Sequence, residues 1–566
     1  MIARSLGPPL GEPFADDFNF LRHALFGPGS WLDGGGASIY WRPLSRQGWY
    51  GLIGASMAER PWLTVALHLV LLGASSLLVY RAVRSVWPGP WAAAAASFPL
   101  LTESSRTFLL WPTTIQDLGA LFFSALAFHE ASRRSLAGAI AAVVAGLLCK
   151  ETTVVTALLL PWLPLITTPE RRRWILGLGS ALLAWGFVYG FVLRQGHVTF
   201  QSRFEQPSTF METLPWALRL GLRDALGLGA LEGWATAPML AGLALVLLVA
   251  AAMAARRSAR RRLIKALPWI GWGVAWFIAN IALLTQVFPL WGPFRVVSGG
   301  WGLGIALVAV MWAATPAILA ALVAVRLLAL GLSAGAPALI RQEGENAYDF
   351  SSLARLSRLS HETRKAFVSI HPTLPHHSTV AWRHRPLMAQ HAFAQGQALQ
   401  VWYRDTTLRW ITWEDAQRDG ARAPDVVVEY EPGEARQVVV LDHGAVVEYL
   451  AGDRIIADAP DSALRHFDRA DQLQRDRGAR VFLAGIRGKR ALCHLALDHV
   501  AAASAEAESS LAVWRDSGDA RYVLAVLAIS EGRLAEARGQ LDSLLARYPY
   551  DVSARAMLDT VRARER

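Results

Sequence analysis

From Trp62 to Gly335 the chain is a procession of apolar runs broken by short arginine clusters, and from Arg341 onward charge is scattered through it as in a water-soluble protein. That contrast predicts one embedded helical part followed by one or two soluble parts. Apolar runs bounded by basic clusters put candidate membrane spans at 62–80, 88–101, 114–131, 135–149, 152–167, 174–193, 236–254, 266–285, 298–314 and 317–335. Several of these ten fall short of the roughly 20 residues of a perpendicular crossing, which predicts tilted, broken or re-entrant segments.

The arginine clusters set an orientation. Arg81 with Arg84, Arg133 with Arg134, Arg171 to Arg173, and Arg256 through Lys265 all fall on one side of the alternation, the cytoplasmic side by the positive-inside rule. The opposite side receives the 16–42 segment, the 103–111 loop, the turn at Lys150 and Glu151, the loops at 194–235 and 288–295, and the C-terminal half. The segment 210–226 has Leu214, Leu218 and Leu222 at four-residue spacing, a pattern that suits a helix in the membrane plane or one packed on the bundle.

These basic clusters account for the formal charge of +11 by topology and not by nucleic-acid binding. Lysine occurs only at 150, 265, 365 and 489, the habit of a GC-rich bacterial genome. With only Cys149 and Cys493, the chain has no disulfide framework or cysteine metal site to read. The first thirteen residues lack the apolar core of a cleavable signal peptide.

The fold expected is mainly α: a polytopic transmembrane bundle over 1–340, a small extracytoplasmic α/β module over 341–455, and a tetratricopeptide-like helical tail over 456–566. The module shows a helical stretch at 350–366 and extended runs at Ser378–Trp382, Leu399–Tyr403, Val426–Tyr430 and Val438–Leu441. No Walker loop, G-x-G-x-x-G or nucleophile elbow occurs in it. In the tail, Gly532, Ala537 and Pro549, with Ala525 before them, have the spacing of a tetratricopeptide repeat, and a degenerate earlier repeat covers 480–514.

Several residues suit chemistry. Asp16 and Asp17 are adjacent carboxylates ahead of the spans; such a pair can act as a general base, hold a divalent cation, or simply form a solvated loop or helix cap. Arg42, in Trp41-Arg42-Pro43-Leu44, and Arg295, in Gly292-Pro293-Phe294-Arg295, flank apolar runs and suit either phosphate oxygens or interfacial anchoring. Lys150 and Glu151 interrupt two apolar runs and must be paired, with each other or across a wet cavity; donor-phosphate contact by Lys150 is equally open. His68, Glu103, Arg106 and Asp117 are polar groups for the same cavity, with a structural role open for His68. His371, His376, His377, His384 and His391 form a histidine-rich patch whose spacing supports no zinc site.

Taken in order, the acidic pair, the aromatic-Arg-Pro-Leu motif, His68 within a run, Phe98-Pro99 with Glu103, Asp117, and Lys150-Glu151 resemble the GT-C superfamily of integral membrane glycosyltransferases. The likeness is to the protein O-mannosyltransferase-like branch with C-terminal tetratricopeptide repeats. It implies an inverting transfer of sugar from a polyprenyl-phosphate donor to a glycan, lipid or protein acceptor on the extracytoplasmic face of a bacterial inner membrane. Asp16 or Asp17 is then the catalytic base or a cation-bound carboxylate, and Arg42, Lys150 and Arg295 hold the donor phosphate. The repeats would meet a protein partner. A membrane helix expected before Asp16 is missing, which reads as a late start codon, a truncated chain or an unusual ten-span topology. Where relatives carry His-Pro this chain has Phe98-Pro99, and the 341–455 module has no counterpart. Two other readings stand beside this one: a non-catalytic membrane-anchored repeat scaffold, and a lipid-linked oligosaccharide ligase or polymerase.

Overall fold

The computed structural model describes residues 7–27, 30–32, 40–195, 208–229, 233–254, 256–285, 291–332, 349–384, 389–418, 420–430 and 438–565. Among the described residues the chain is mainly helical with one four-stranded sheet. It divides into two compact units, Met1–His361 with His391–Trp402, and Glu362–Gln390 with Tyr403–Arg566. The sheet and the helical tail therefore share a unit.

Among the described residues of the first unit five helical segments are long and apolar enough to cross a membrane: Pro61–Val83, Thr168–Gln195, Thr236–Met253, Ala259–Leu284 and Pro293–Ala314. Their outward faces are greasy. Leu183 and Phe187 are 77% and 79% exposed, a surface that water would penalise and lipid would not. Leu136–Cys149 and Pro316–Leu332 are apolar but shorter.

Where about ten spans were expected, the described residues hold five candidates and two shorter apolar helices, for reasons that lie in particular residues. Segment 88–101 breaks after helix Gly89–Ser97, where Pro99 sits in a 3-10 turn. Two carbonyls there are met by Arg326, a fully buried side chain that donates to Phe98 O at 2.8 Å and Leu101 O at 3.0 Å, and also to Ala225 O, the end of helix Ser208–Ala225, at 2.8 Å. Segment 152–167 forms only a short helix, Val154–Leu159, before Pro161 and the Leu160–Trp162 turn end it. Helix Ile115–Ser132 carries Asp117 in its first turn and falls outside the five candidates.

Small residues let these helices approach. A Cβ on Gly273 would lie 2.4 Å from Gly302 O, and one on Gly302 would lie 2.5 Å from Gly273 O, so Arg257–Leu284 and Val297–Ala314 touch backbone to backbone. Tryptophans fill the space beside them, with their N–H groups satisfied: Trp276 donates to Ser298 O and Trp272 to Leu159 O, both at 2.9 Å. The segment expected either in the membrane plane or packed on the bundle is helix Ser208–Ala225; a Cβ on Gly221 would lie 2.7 Å from Ile281 and Trp216 meets Trp291, while Phe210, Met211 and Leu222 are exposed.

In the second unit the strands are β1 (Thr379–Arg383), β2 (Arg409–Thr412), β3 (Val426–Tyr430) and β4 (Val438–Val440), in the order β2-β1-β3-β4. β1 pairs parallel with both β2 and β3, and β4 closes one edge antiparallel to β3. The run expected as a strand at Leu399–Tyr403 is instead helix Gln397–Tyr403, burying Ala398, Leu399 and Val401. A short apolar run reads either way by periodicity, and the true second strand lies at Arg409–Thr412.

The tail is a row of helices: His443–Ile455, Pro460–Gln474, Arg480–Ala496, Val500–Val513, Gly518–Ser530, Leu534–Arg547 and Val552–Arg564. Every second helix starts at 443, 480, 518 or 552, spacings of 37, 38 and 34 residues, close to the tetratricopeptide period of about 34. Ala525 and Ala537 are fully buried between neighbours, and Gly532 takes a left-handed φ of 76° at the turn between them. The repeat signature read from the sequence is therefore a helical-hairpin array.

Candidate functional site

The acidic pair opens helix Asp16–Phe26. The strand of chain before it is tied down at several points: Ser357 and Ser360 donate to Pro9 O and Pro13 O at 2.7 and 2.8 Å, and Phe14 stacks on Trp111 with ring centroids 5.6 Å apart. Ala15 is bent into a left-handed φ of 52° and donates its N–H to Ala392 O at 2.8 Å. From the other flank, Arg22 donates to Gln400 Oε1 at 2.6 Å and Phe18 meets Trp402 edge-on. The carboxylates are held, not draped.

The two acids have different fates. Asp17 is fully buried, and its oxygens accept from Tyr50 Oη at 2.6 Å, Thr113 Oγ1 at 2.7 Å and the Phe14 N–H at 3.1 Å. Burial pushes its carboxyl up to about 7 against the pull of those donors. Asp16 keeps its solvent exposure. Crowding by surrounding protein raises its carboxyl too, while Arg46, then Arg295 and Arg42, pull it back. One is a satisfied structural acid; the other is an accessible carboxylate facing cations.

Arg42 and Arg46 sit four residues apart around a π-helical turn, Leu44–Gly48, a local irregularity that aims both guanidiniums the same way. Arg42 Nη1 and Arg46 Nε reach Gln116 Oε1 at 2.5 and 3.2 Å. Arg42 also forks onto Glu151, with Nε to Oε2 at 2.8 Å and Nη2 to Oε1. Burial acts to raise Glu151, but the charge and hydrogen bonds of Arg42 outweigh it and hold the acid at about 2. Lys150 turns to Asp117, Nζ to Oδ1 at 2.6 Å. Burial lowers its amine, against the pull of Asp117. Adjacent in sequence, Lys150 and Glu151 thus pair with two different partners and not with each other.

Asp117 and Arg295 line a narrow recess of about 20 Å³, room for about one water, with Ser124, Thr152, Asn280 and Ser298 as its other polar walls and Phe108, Leu121, Leu284 and Phe294 among its apolar ones. Arg295 also acts electrostatically on both Asp16 and Lys150, so one guanidinium joins the carboxylate to the recess. Not every expected residue comes here. Arg106 is fully buried over the Phe350 ring at 3.8 Å, and His68 is buried with Nδ1 2.6 Å from Phe108 O. The Glu103 side chain lies outside the described residues. The sequence reading missed Arg46, Tyr50, Thr113 and Gln116; for Arg46 the i, i+4 spacing from Arg42 was the available signal.

A divalent cation does not suit this donor set. Asp17 has committed both oxygens, three arginines bear on Asp16, and no group of three His, Cys, Asp or Glu side chains occurs among the described residues. The histidine-rich patch likewise scatters: His376 meets Asp405 at 2.7 Å, His384 meets Glu429 at 3.1 Å, and His371 packs on Phe367.

No protein-family model matches the chain, and no curated protein matches it. Among solved structures, the APC/C hetero-tetramer Cut9-Hcn1 aligns over 96% of each chain at 13% identity with a TM-score of 0.19, too low for a shared fold to follow.

Proposed function

We propose that the chain is an inverting, membrane-embedded glycosyltransferase of the GT-C type, with its site on the extracytoplasmic side of a bacterial inner membrane and a polyprenyl-phosphate sugar as donor. The observation that carries this reading is the accessible Asp16 carboxylate faced by Arg46, Arg295 and Arg42, with Arg295 shared by the adjoining recess of mixed polar and apolar walls. A carboxyl raised by crowding holds a proton more tightly than a free one, which suits it to accept a proton. In this account Asp16 takes the proton of an acceptor hydroxyl as its oxygen attacks the anomeric carbon. The bond from that carbon to the phosphate oxygen breaks on the opposite face, and the lipid phosphate leaves with the electron pair, stabilised by guanidinium donors.

Roles follow from what each side chain already does. Arg295, at the recess, is the donor-phosphate residue; Arg42 is spent on Glu151 and Gln116 and serves to position Arg46 and the turn; Lys150, held by Asp117, adds positive potential. Exposed apolar faces on helices such as Thr168–Gln195 support a lipid setting, and the helical-hairpin tail suits a protein partner.

The test uses the full chain in nanodiscs with radiolabelled polyprenyl-phosphate hexose and, separately, the pyrophosphate-linked donor. Transfer from the monophosphate is expected. Preference for the pyrophosphate donor would instead mark an oligosaccharide ligase, and transfer from neither would mark a scaffold.

A further inference from the structure

The basic clusters that the sequence puts on one side of the alternation are drawn together in the first unit. Arg134 reaches Glu170 at 3.5 Å, next to Arg171, and Arg171 Nε donates to Pro161 O at 3.3 Å. The neighbouring Leu159 O accepts from Trp272 Nε1 at 2.9 Å, which ties this turn to helix Arg257–Leu284. Trp87, three residues past Arg84, lies 5.4 Å from Trp269, one turn past Lys265. All four clusters thus crowd one end of the bundle.

At that end helix Arg257–Leu284 offers a surface of its own. Arg260, Arg261, Arg262 and Lys265 are exposed, and none of them makes an ion pair among the described residues. From Arg260 an apolar stripe runs down the same helix: Ile264, Leu267, Val274 and Ile278 follow at spacings of three, four and seven, which is one helical face, and all four are exposed. The other side, with Ala259, Ala266, Trp269 and Trp276, is buried in the bundle.

The length of the helix gives the cations a depth. Arg261 and Asn280, which lines the recess beside Arg295, are nineteen residues apart, about 29 Å at 1.5 Å per residue. A hydrocarbon core is about 30 Å thick, so the cations at one end and the recess at the other fit the two surfaces of one bilayer.

We propose that Arg260 and Arg261 bind the phosphate of an anionic phospholipid whose acyl chain lies along Ile264, Leu267, Val274 and Ile278. The guanidinium groups donate to the phosphate oxygens, and the headgroup supplies the negative charge that no protein carboxylate brings to them. A soluble acidic protein would match the cations and leave the stripe uncovered, while a zwitterionic lipid would cover the stripe and bring a cation of its own to the arginines. The site rests on the membrane setting of the first unit and not on sugar transfer.

Native mass spectrometry of the full chain in detergent, titrated with phosphatidylglycerol or with phosphatidylcholine, tests this directly. The first phosphatidylglycerol should bind about tenfold more tightly than the first phosphatidylcholine, and Arg260→Gln/Arg261→Gln should erase that preference while leaving phosphatidylcholine binding unchanged, which shows the variant folded. Arg172→Gln/Arg173→Gln removes the same charge from exposed arginines of a neighbouring cluster and should keep the preference. Glycerophosphoglycerol, the headgroup without its chains, should not displace the lipid. An equal loss in both double variants would mark diffuse attraction, and displacement by the free headgroup would mark a soluble ligand; either overturns the proposal. Equal affinity for the two lipids in the parent overturns the site alone, whereas binding of neither overturns it together with the membrane setting.

Discussion

In the first unit the Arg42 side chain is 8% exposed and divides its donors between Glu151 and Gln116, whereas in the helical tail Arg533 is 48% exposed and meets Glu531 and Glu536 at the surface. Both look alike as ion pairs, and their consequences differ. A guanidinium taken out of water must be matched donor by donor, so the burial of Arg42, Lys150 and Asp17 records a structural commitment to one geometry around Asp16. The tail spends charge on solubility instead, and its shape comes from small buried residues such as Ala525 and Ala537.

The comparison breaks first at Arg42. Arg42→Ala strands Glu151 in a largely protein environment and is expected to cost about 3–5 kcal/mol in detergent unfolding, with Arg42→Lys restoring only part because an ammonium cannot fork onto a carboxylate. An effect below about 1 kcal/mol would put this pair on a par with the tail.

Asp17 sharpens the contrast through pH. Its carboxyl titrates near 7 in the folded protein and near 3.8 in the unfolded chain, so the folded state binds this proton more tightly. Stability should therefore fall as pH rises from about 4 to about 7, and Asp17→Asn should flatten that slope in unfolding measured across the window. An unchanged slope would mean that Asp17 is not the group responsible. The smallest effect belongs to the tail: Arg533→Ala should shift unfolding by no more than about 1 kcal/mol, and by less in high salt.

What was legible in the sequence follows the range of the physics. Periodicity and repeat spacing act within tens of residues, so the tail hairpins, the edges of β1, β3 and β4, and the five long apolar helices could be read directly. Local signals failed where tertiary partners decide. Leu399–Tyr403 is short enough to be strand or helix, and the breaks after Ser97 and Leu159 depend on prolines whose freed carbonyls need a distant cap such as Arg326. The acidic pair was visible, but its division was not, because Tyr50 and Thr113 lie 33 and 96 residues from Asp17. The partners of Lys150 and Glu151 were hidden for the same reason.

The most direct test of the account compares Asp16→Asn with Asp17→Asn in nanodiscs supplied with labelled polyprenyl-phosphate hexose and a mixed acceptor pool. If Asp16 is the base, Asp16→Asn abolishes transfer, a loss of at least a hundredfold, with unfolding unchanged, while Asp17→Asn loses stability and keeps transfer in the fraction that stays folded. Transfer by Asp16→Asn at the parent rate would contradict it.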